Sequence, residues 1–272
     1  MSLRIQTNVE AFNAHRNLVS TSNMLAKSME KLSSGYRINR AADDAAGLAI
    51  SEKLKSQIGG LDQAQRNAQD AVSLVQTGEG AMQEVTSMLQ RVRDLAVQFN
   101  NGTLSASDKA AITAEVAQLC AEISRIGSTT AFNGISLLTG STSITFQVGA
   151  NDGETISVSG ISLFGSGAGF AIDKAIFNFT GTVTLASIDT AVQAVSDARA
   201  GFGAAQNRLE HTLNNLANYE ENLTASESNI KDVDMASEMV NFTKLQILQQ
   251  AGTSMLAQAN QLPQSVLTLL RG

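Results

Sequence analysis

Small or apolar residues fall at Leu245, Leu248, Gly252, Met255, Ala259, Leu262, Val266 and Leu269, alternately three and four residues apart. That spacing places them on one stripe of a helix whose other positions are Gln, Asn, Ser and Thr, the pattern of a coiled-coil seam. Pro263 has no N–H to give the Ala259 carbonyl and predicts a bend, yet the apolar spacing runs through it without a slip. One buried stripe does not offset the entropy of ordering so long a helix, so the pattern requires a partner. At the other end Leu18, Leu25, Met29 and Leu32 fall at helical spacing after a looser set at Ile5, Val9, Phe12 and Val19. Both ends therefore predict amphipathic helices of similar texture, each the natural partner of the other. Few charges support either helix alone, which predicts frayed ends in an isolated monomer.

Between the ends the helical period persists. Gly35 marks a first break, and Asp43 and Asp44 suit the start of a helix carrying Leu54, Ile58, Leu61, Ala68, Val72, Val75, Met82, Val85, Leu89, Val92 and Ala96. Gly78 and Gly80 weaken it locally by about 1 kcal/mol each. Asn101-Gly102 predicts a turn and Ser105 with Asp108 a capped start. The following stripe holds Ile112, Val116, Leu119, Ile123 and Ile126, and Gly127 is read as its end.

The period then changes. Ile144, Phe146 and Val148 alternate with polar residues, as do Ile156 and Val158, with Asn151-Asp152-Gly153-Glu154 between them, which predicts a hairpin. GSGAG at 165–169 reads as a spacer, and alternation of Phe177, Phe179, Val183 and Leu185 suggests further strand. Helix resumes with Ser187 or Asp189 as cap, carrying Ile188, Val192, Val195, Phe202, Leu209, Leu213, Leu216, Leu223 and Ile230. The expected fold is mainly α, an elongated antiparallel helical bundle or coiled-coil rod built from the N- and C-terminal halves, with a small central β-hairpin region.

Composition agrees with thin helix-on-helix packing. Of 272 residues 43% are hydrophobic but only 4% aromatic, with no Trp, and one Pro leaves long helices uninterrupted. A net charge of −6 without a basic run argues against nucleic acid and against an anionic membrane surface. No apolar stretch is long enough to span a membrane, and the first residues lack the apolar core of an ordinary secretory signal.

The residues suggest no catalysis. His15 and His211 stand without ligands at metal spacing, and Cys120, beside Leu119 and Ile123, reads as a small buried hydrophobe. Asp43 and Asp44 are sequential and read as caps rather than a carboxylate pair, and GSGAG is not followed by the Lys-Ser/Thr of a phosphate loop. Helix-thin architecture offers no deep pocket. No cofactor or metal is expected, and the reading is a self-assembling structural protein, not an enzyme.

The wording of the ends is more specific. LSSGYRINRAADDAAGLAI (32–50) resembles the N-terminal signature of bacterial flagellins, and ILQQAGTSMLAQANQLPQSVLTLLR (247–271) their C-terminal signature. LQRVRDLAVQ (89–98) and FNGISLL (132–138) extend the resemblance over roughly residues 1–140 and 187–271. It implies a filament subunit of the bacterial flagellum, a secreted, extracellular motility protein exported uncleaved by the flagellar type III apparatus. Its implied domain plan is an N-terminal helix of the inner core domain (1–42) pairing with its C-terminal counterpart (233–272). Rod segments lie at 43–140 and 187–232, and a hairpin region with linker at 141–186. Packing of the filament core is expected from Leu18, Leu25, Met29, Leu32, Leu245, Leu248, Met255, Leu262, Val266 and Leu269.

Implied partners are further copies of the chain, an export chaperone on the C-terminal segment, and the filament-cap and hook-junction proteins. Family members sensed by an animal Toll-like receptor carry a QRVRELAVQ-like patch and a Glu on the neighbouring helix; the matching positions here are Gln90, Arg91, Leu95 and Glu115, with Asp94 in place of the usual Glu. The same residues equally suit contacts between subunits. Departures from the family are a nearly absent outer-domain insert, Tyr36, Arg40 and Cys120. The alternative within the superfamily is a hook–filament junction protein, which usually matches the C-terminal signature less fully.

Overall fold

A computed structural model describes residues 7–140, 143–160, 162, 163, 177, 179 and 184–271, with side chains through residue 261. Its elements run α1 (Val9–Ser34), α2 (Ala45–Phe99), α3 (Ala106–Thr129), β1 (Ala131–Phe132), β2 (Ile135–Ser136), β3 (Ser143–Gln147), β4 (Thr155–Ser159), α4 (Leu185–Lys231) and α5 (Met235–Arg271). The chain divides into a terminal unit, residues 1–56 with 222–272, and a central unit, residues 57–221.

The central unit has a continuous apolar core. From α2 it takes Ala68, Ala71, Val75, Met82, Val85, Leu89, Val92 and Ala96, a stripe close to the predicted one. Ile112, Val116 and Ile123 of α3 and Ile188, Val195, Phe202 and Leu209 of α4 complete it. Phe202 lies over Gly78, where an added Cβ would stand 3.1 Å from the ring, so the glycine that weakens α2 also lets a large ring approach it. α3 begins at the expected capping box: Ser105 Oγ accepts from Asp108 N, and the Asp108 carboxylate accepts from Ser105 N.

Three local expectations are corrected and one element is added. Gly127 does not end α3; it is buried within the helix, which continues to Thr129. α4 starts at Leu185, ahead of the expected caps, and the Ser187 hydroxyl donates to the Thr184 carbonyl at 2.7 Å. Leu185 is therefore helical, while Phe177 and Phe179 belong to no strand. Both rings are buried, and Phe179 meets Phe99 edge-to-face at 5.3 Å, so their alternation reflects anchoring in the core rather than a ladder. Asn133 and Gly134 (φ 48° and 80°) close a short β1–β2 hairpin that went unpredicted. Val183 and the GSGAG run lie outside the described residues.

The expected β3–β4 hairpin forms, with Ile144 opposite Val158 and Phe146 opposite Ile156. Glu154 fastens its loop, its carboxylate accepting from the backbone and side-chain amides of Asn151.

In the terminal unit α1 and α5 pack together. They run antiparallel, since Asn8 bonds to Ala259 while Ser28 bonds to Glu238. α1 ends at Gly35 in the left-handed conformation (φ 76°), whose N–H caps the Lys31 carbonyl. Asp44 opens α2 by accepting from Gly47 N at 2.8 Å. Asp43 instead accepts from Arg40 and Asn39 N–H groups in the preceding turn, and these hold its carboxyl below the usual Asp range, the Arg40 bond most. α5 continues as one helix through Pro263 to Arg271.

Candidate functional site

The sequence motifs converge on two surfaces, the α1–α5 pair in the terminal unit and the α2–α3 face in the central unit. On α1 the half-buried or buried positions include Asn8, Ala11, Ala14, Leu18, Thr21, Leu25, Ser28 and Leu32, at intervals of three and four residues, with Glu30 and Lys31 also half-buried near its end. On α5 they are Glu238, Phe242, Leu245, Gln249, Gly252, Leu256 and Ala259. Leu18, Leu25, Leu32 and Leu245 thus lie in the intramolecular seam. Met29, Leu248 and Met255 do not, remaining 55%, 45% and 66% exposed. Leu262, Val266 and Leu269 have side chains outside the described residues.

The seam inside one chain is rotated from the expected stripe. It shares Leu245, Gly252 and Ala259 with that stripe but takes Gln249 and Leu256 in place of Leu248 and Met255. Close approach at Gly252 is the cause: a Cβ there would sit 3.2 Å from Leu18 Cδ1, so this glycine faces α1 directly and sets the orientation of α5. Leu248 and Met255 flank the contact and line, with Leu18 and Thr21, an open groove of about 590 Å³.

Large apolar side chains remain exposed on both helices. They include Phe12 and Val19 of α1 and Met239, Val240, Ile247 and Met255 of α5, with Phe12 68% and Val240 70% exposed.

On the second surface the Arg91 guanidinium donates through Nε and Nη2 to Glu115 Oε1, at 2.9 and 2.8 Å, joining α2 to α3. Both partners are substantially exposed, which limits such a pair to about 0–1 kcal/mol of stability. Gln90 and Asp94 are exposed beside it. Leu95 is only 2% exposed and belongs to the core, seating α2 from behind rather than presenting a contact surface.

No cluster of His, Cys, Asp and Glu able to hold a metal occurs among the described residues. His15 and His211 are exposed on helix faces, and Cys120 is half-buried against the central core. No helix among the described residues is long and apolar enough to cross a membrane.

Three residues of the terminal pair were missed from the sequence. Ser28 is buried and its hydroxyl donates to Glu238 Oε1 at 2.5 Å. Gln249, a polar residue in an apolar seam, had no signal to find. Asn8 did: an Asn ahead of a periodic stretch is an N-cap candidate, and its Oδ1 accepts from Ala11 N at 3.1 Å.

Comparison with known proteins matches the bacterial flagellin N-terminal helical region at residues 5–143 and the C-terminal helical region at residues 185–270. The chain is similar to a flagellin of Halalkalibacterium halodurans, 53% identical over 98% of this chain and 99% of that one. It is also similar to a flagellin of Bacillus subtilis, 46% identical over 99% of this chain and all of the other. A flagellar filament 33 kDa core protein of Treponema phagedenis is 47% identical over 98% and 99% of the two chains. With both terminal regions matched and the helical pair in place, this chain belongs to the bacterial flagellin family, whose members are structural proteins and not enzymes.

Proposed function

We propose that the chain is the structural subunit of a flagellar filament and acts in motility by polymerising with itself. The observation that carries this reading is the set of large apolar side chains left exposed on the paired α1 and α5, among them Phe12, Val240, Ile247 and Met255. Covering those side chains with the same surfaces of neighbouring copies removes them from water and supplies the stabilisation that a single seam lacks. Residues 1–42 and 233–272 then form the inner core of the polymer, and the segments 43–140 and 187–232 its helical rod.

In this reading the subunit is secreted uncleaved through the flagellar type III apparatus to an extracellular filament. An export chaperone holds the C-terminal segment before assembly, shielding its exposed apolar side chains, and cap and hook-junction proteins bound the polymer at its ends. The exposed Gln90, Arg91 and Glu115 are proposed contacts for neighbouring subunits and for the flagellin-sensing Toll-like receptor, with Leu95 holding the helix that presents them. Unchanged receptor affinity in Arg91→Ala monomers would remove the receptor from this list.

Seeded polymerisation tests the main reading. Full-length protein added to filament fragments is expected to extend them into long helical filaments under the electron microscope. Protein lacking residues 233–272 is expected to remain monomeric while circular dichroism still reports a helical central unit. Failure of the full chain to extend seeds, or extension by the truncated one, overturns it.

A further inference from the structure

The two units differ sharply in charge. The terminal unit has eleven Lys and Arg against nine Asp and Glu, net +2, whereas the central unit has eight against sixteen, net −8. Three of the terminal lysines lie close together. Lys27 and Lys31, one turn apart on α1, and Lys244 on α5 line an open groove of about 400 Å³ floored by Ser28, Asn241 and Leu245. Its sole carboxylate, Glu238, accepts the Ser28 hydroxyl at 2.5 Å. Lys27 lies 3.9 Å from Asp43 with its side chain 68% exposed, a distant and solvent-screened pairing. The Asp43 carboxylate also feels the Lys31 charge, though without a close pair, and Lys244 forms no ion pair among the described residues.

We propose that the Lys27–Lys31–Lys244 groove is a docking site for the acidic central unit of a second copy of this chain. The inference rests on the filament reading and adds to it a charge-directed contact distinct from the exposed apolar side chains. A chain carrying a compact cationic groove on one unit and an excess of eight negative charges on the other is complementary to itself between copies. Exposed carboxylates such as Asp70, Glu84, Asp94 and Glu221 are available on the acidic unit. Apolar burial holds copies together without fixing their register, whereas charge pairing at the groove penalises wrong registers and speeds correct encounter.

Zero-length carbodiimide cross-linking of assembled filaments tests this directly. Filaments grown from equal parts of isotopically light and heavy full-length chain are cross-linked, digested and read by mass spectrometry, so that links between copies carry mixed labels. Mixed-label links from Lys27, Lys31 or Lys244 to carboxylates within residues 57–221 are expected. Links from these lysines confined to single-label pairs or to the terminal unit overturn the proposal. A second arm measures the critical concentration for seeded growth. Lys27→Glu/Lys31→Glu/Lys244→Glu is expected to raise it roughly tenfold or more, and the corresponding Gln variant less. Equal critical concentrations in a variant with wild-type circular dichroism also overturn it. If the unaltered chain extends no seeds, the filament reading itself falls; if it extends them but the lysines make no such links, only the docking site falls.

Discussion

The Asn8 side chain donates through Nδ2 to the Ala259 carbonyl at 2.7 Å, joining the first turn of α1 to the last described turns of α5. Ala259 is the residue whose carbonyl loses its helical donor, because Pro263, four residues on, has no N–H. The same Asn8 caps α1 through Oδ1. One amide therefore closes a helix start and supplies the bond that a proline withholds from the opposing helix. Asn8→Asp keeps the cap acceptor and loses the donor; it is expected to destabilise the pair by about 1–3 kcal/mol, the cost of an unsatisfied buried carbonyl. Hydrogen exchange of α1 and α5 amides measures it. Pro263→Ala restores the missing donor, so the penalty of Asn8→Asp should shrink in that background.

Gly252 tests how tightly the pair is set. Ala at this position gains about 1 kcal/mol of helix propensity but stands 3.2 Å from Leu18 Cδ1, so the two effects largely offset. Gly252→Val adds branches that the Leu18 contact cannot accommodate without moving α5. Its seeded polymerisation should fall well below wild type while the central unit melts unchanged by calorimetry.

Leu95 and Gln90 separate a supporting role from a presenting one. Leu95→Ala empties a core position and should destabilise by about 2–5 kcal/mol in chemical denaturation. Gln90→Ala, on the exposed face, should stay within about 0.5 kcal/mol of wild type. Loss of receptor or subunit affinity in the first variant then reports a shifted helix, and in the second a lost contact.

Acid should loosen the fold through its caps and turns. Hydrogen bonds hold four carboxyls below their ordinary values: Asp43 through Arg40 N–H, Asp108 through the Ser105 hydroxyl, Glu122 through Arg125 and Glu154 through the Asn151 side chain. A carboxyl lowered in the folded state stabilises fully above its unfolded value and loses that contribution as pH falls through its folded one. Stability by denaturant titration is thus expected to be flat above about pH 5 and to decline below about pH 4. Asp108→Asn should flatten part of that decline; a slope identical to wild type counts against the role of Asp108.

Much of this was legible in the residues. Ser105 with Asp108, and the alternation around Asn151–Glu154, are local chemistry, and local chemistry survives folding intact. The α5 seam was legible only as to kind. Leu248 and Met255 continue one stripe and Phe242 and Leu256 another, and a period of three and four does not say which stripe the same chain covers. A distant contact, Leu18 against Gly252, decides it. Phe177 and Phe179 misled for a related reason, since alternation records burial of every second side chain whether or not a ladder forms. Asn133-Gly134 was the reverse case, a plain turn signal on strands of two residues each.

The junctions between helices carry a further consequence. Val233 N–H donates to the Gly35 carbonyl and Arg37 N–H to the Lys231 carbonyl, while the Arg37 guanidinium closes on Ile230 and Lys231 lies over the Tyr36 ring. The break after α1 and the break before α5 are thereby stitched side by side. Because these bonds join fixed positions on the two segments, inserting or deleting one residue between Gly35 and Arg37, or between Lys231 and Val233, would put the pairing out of register. Around these bonds a change of chain length by one residue would therefore unfasten the ends of the two helices from each other.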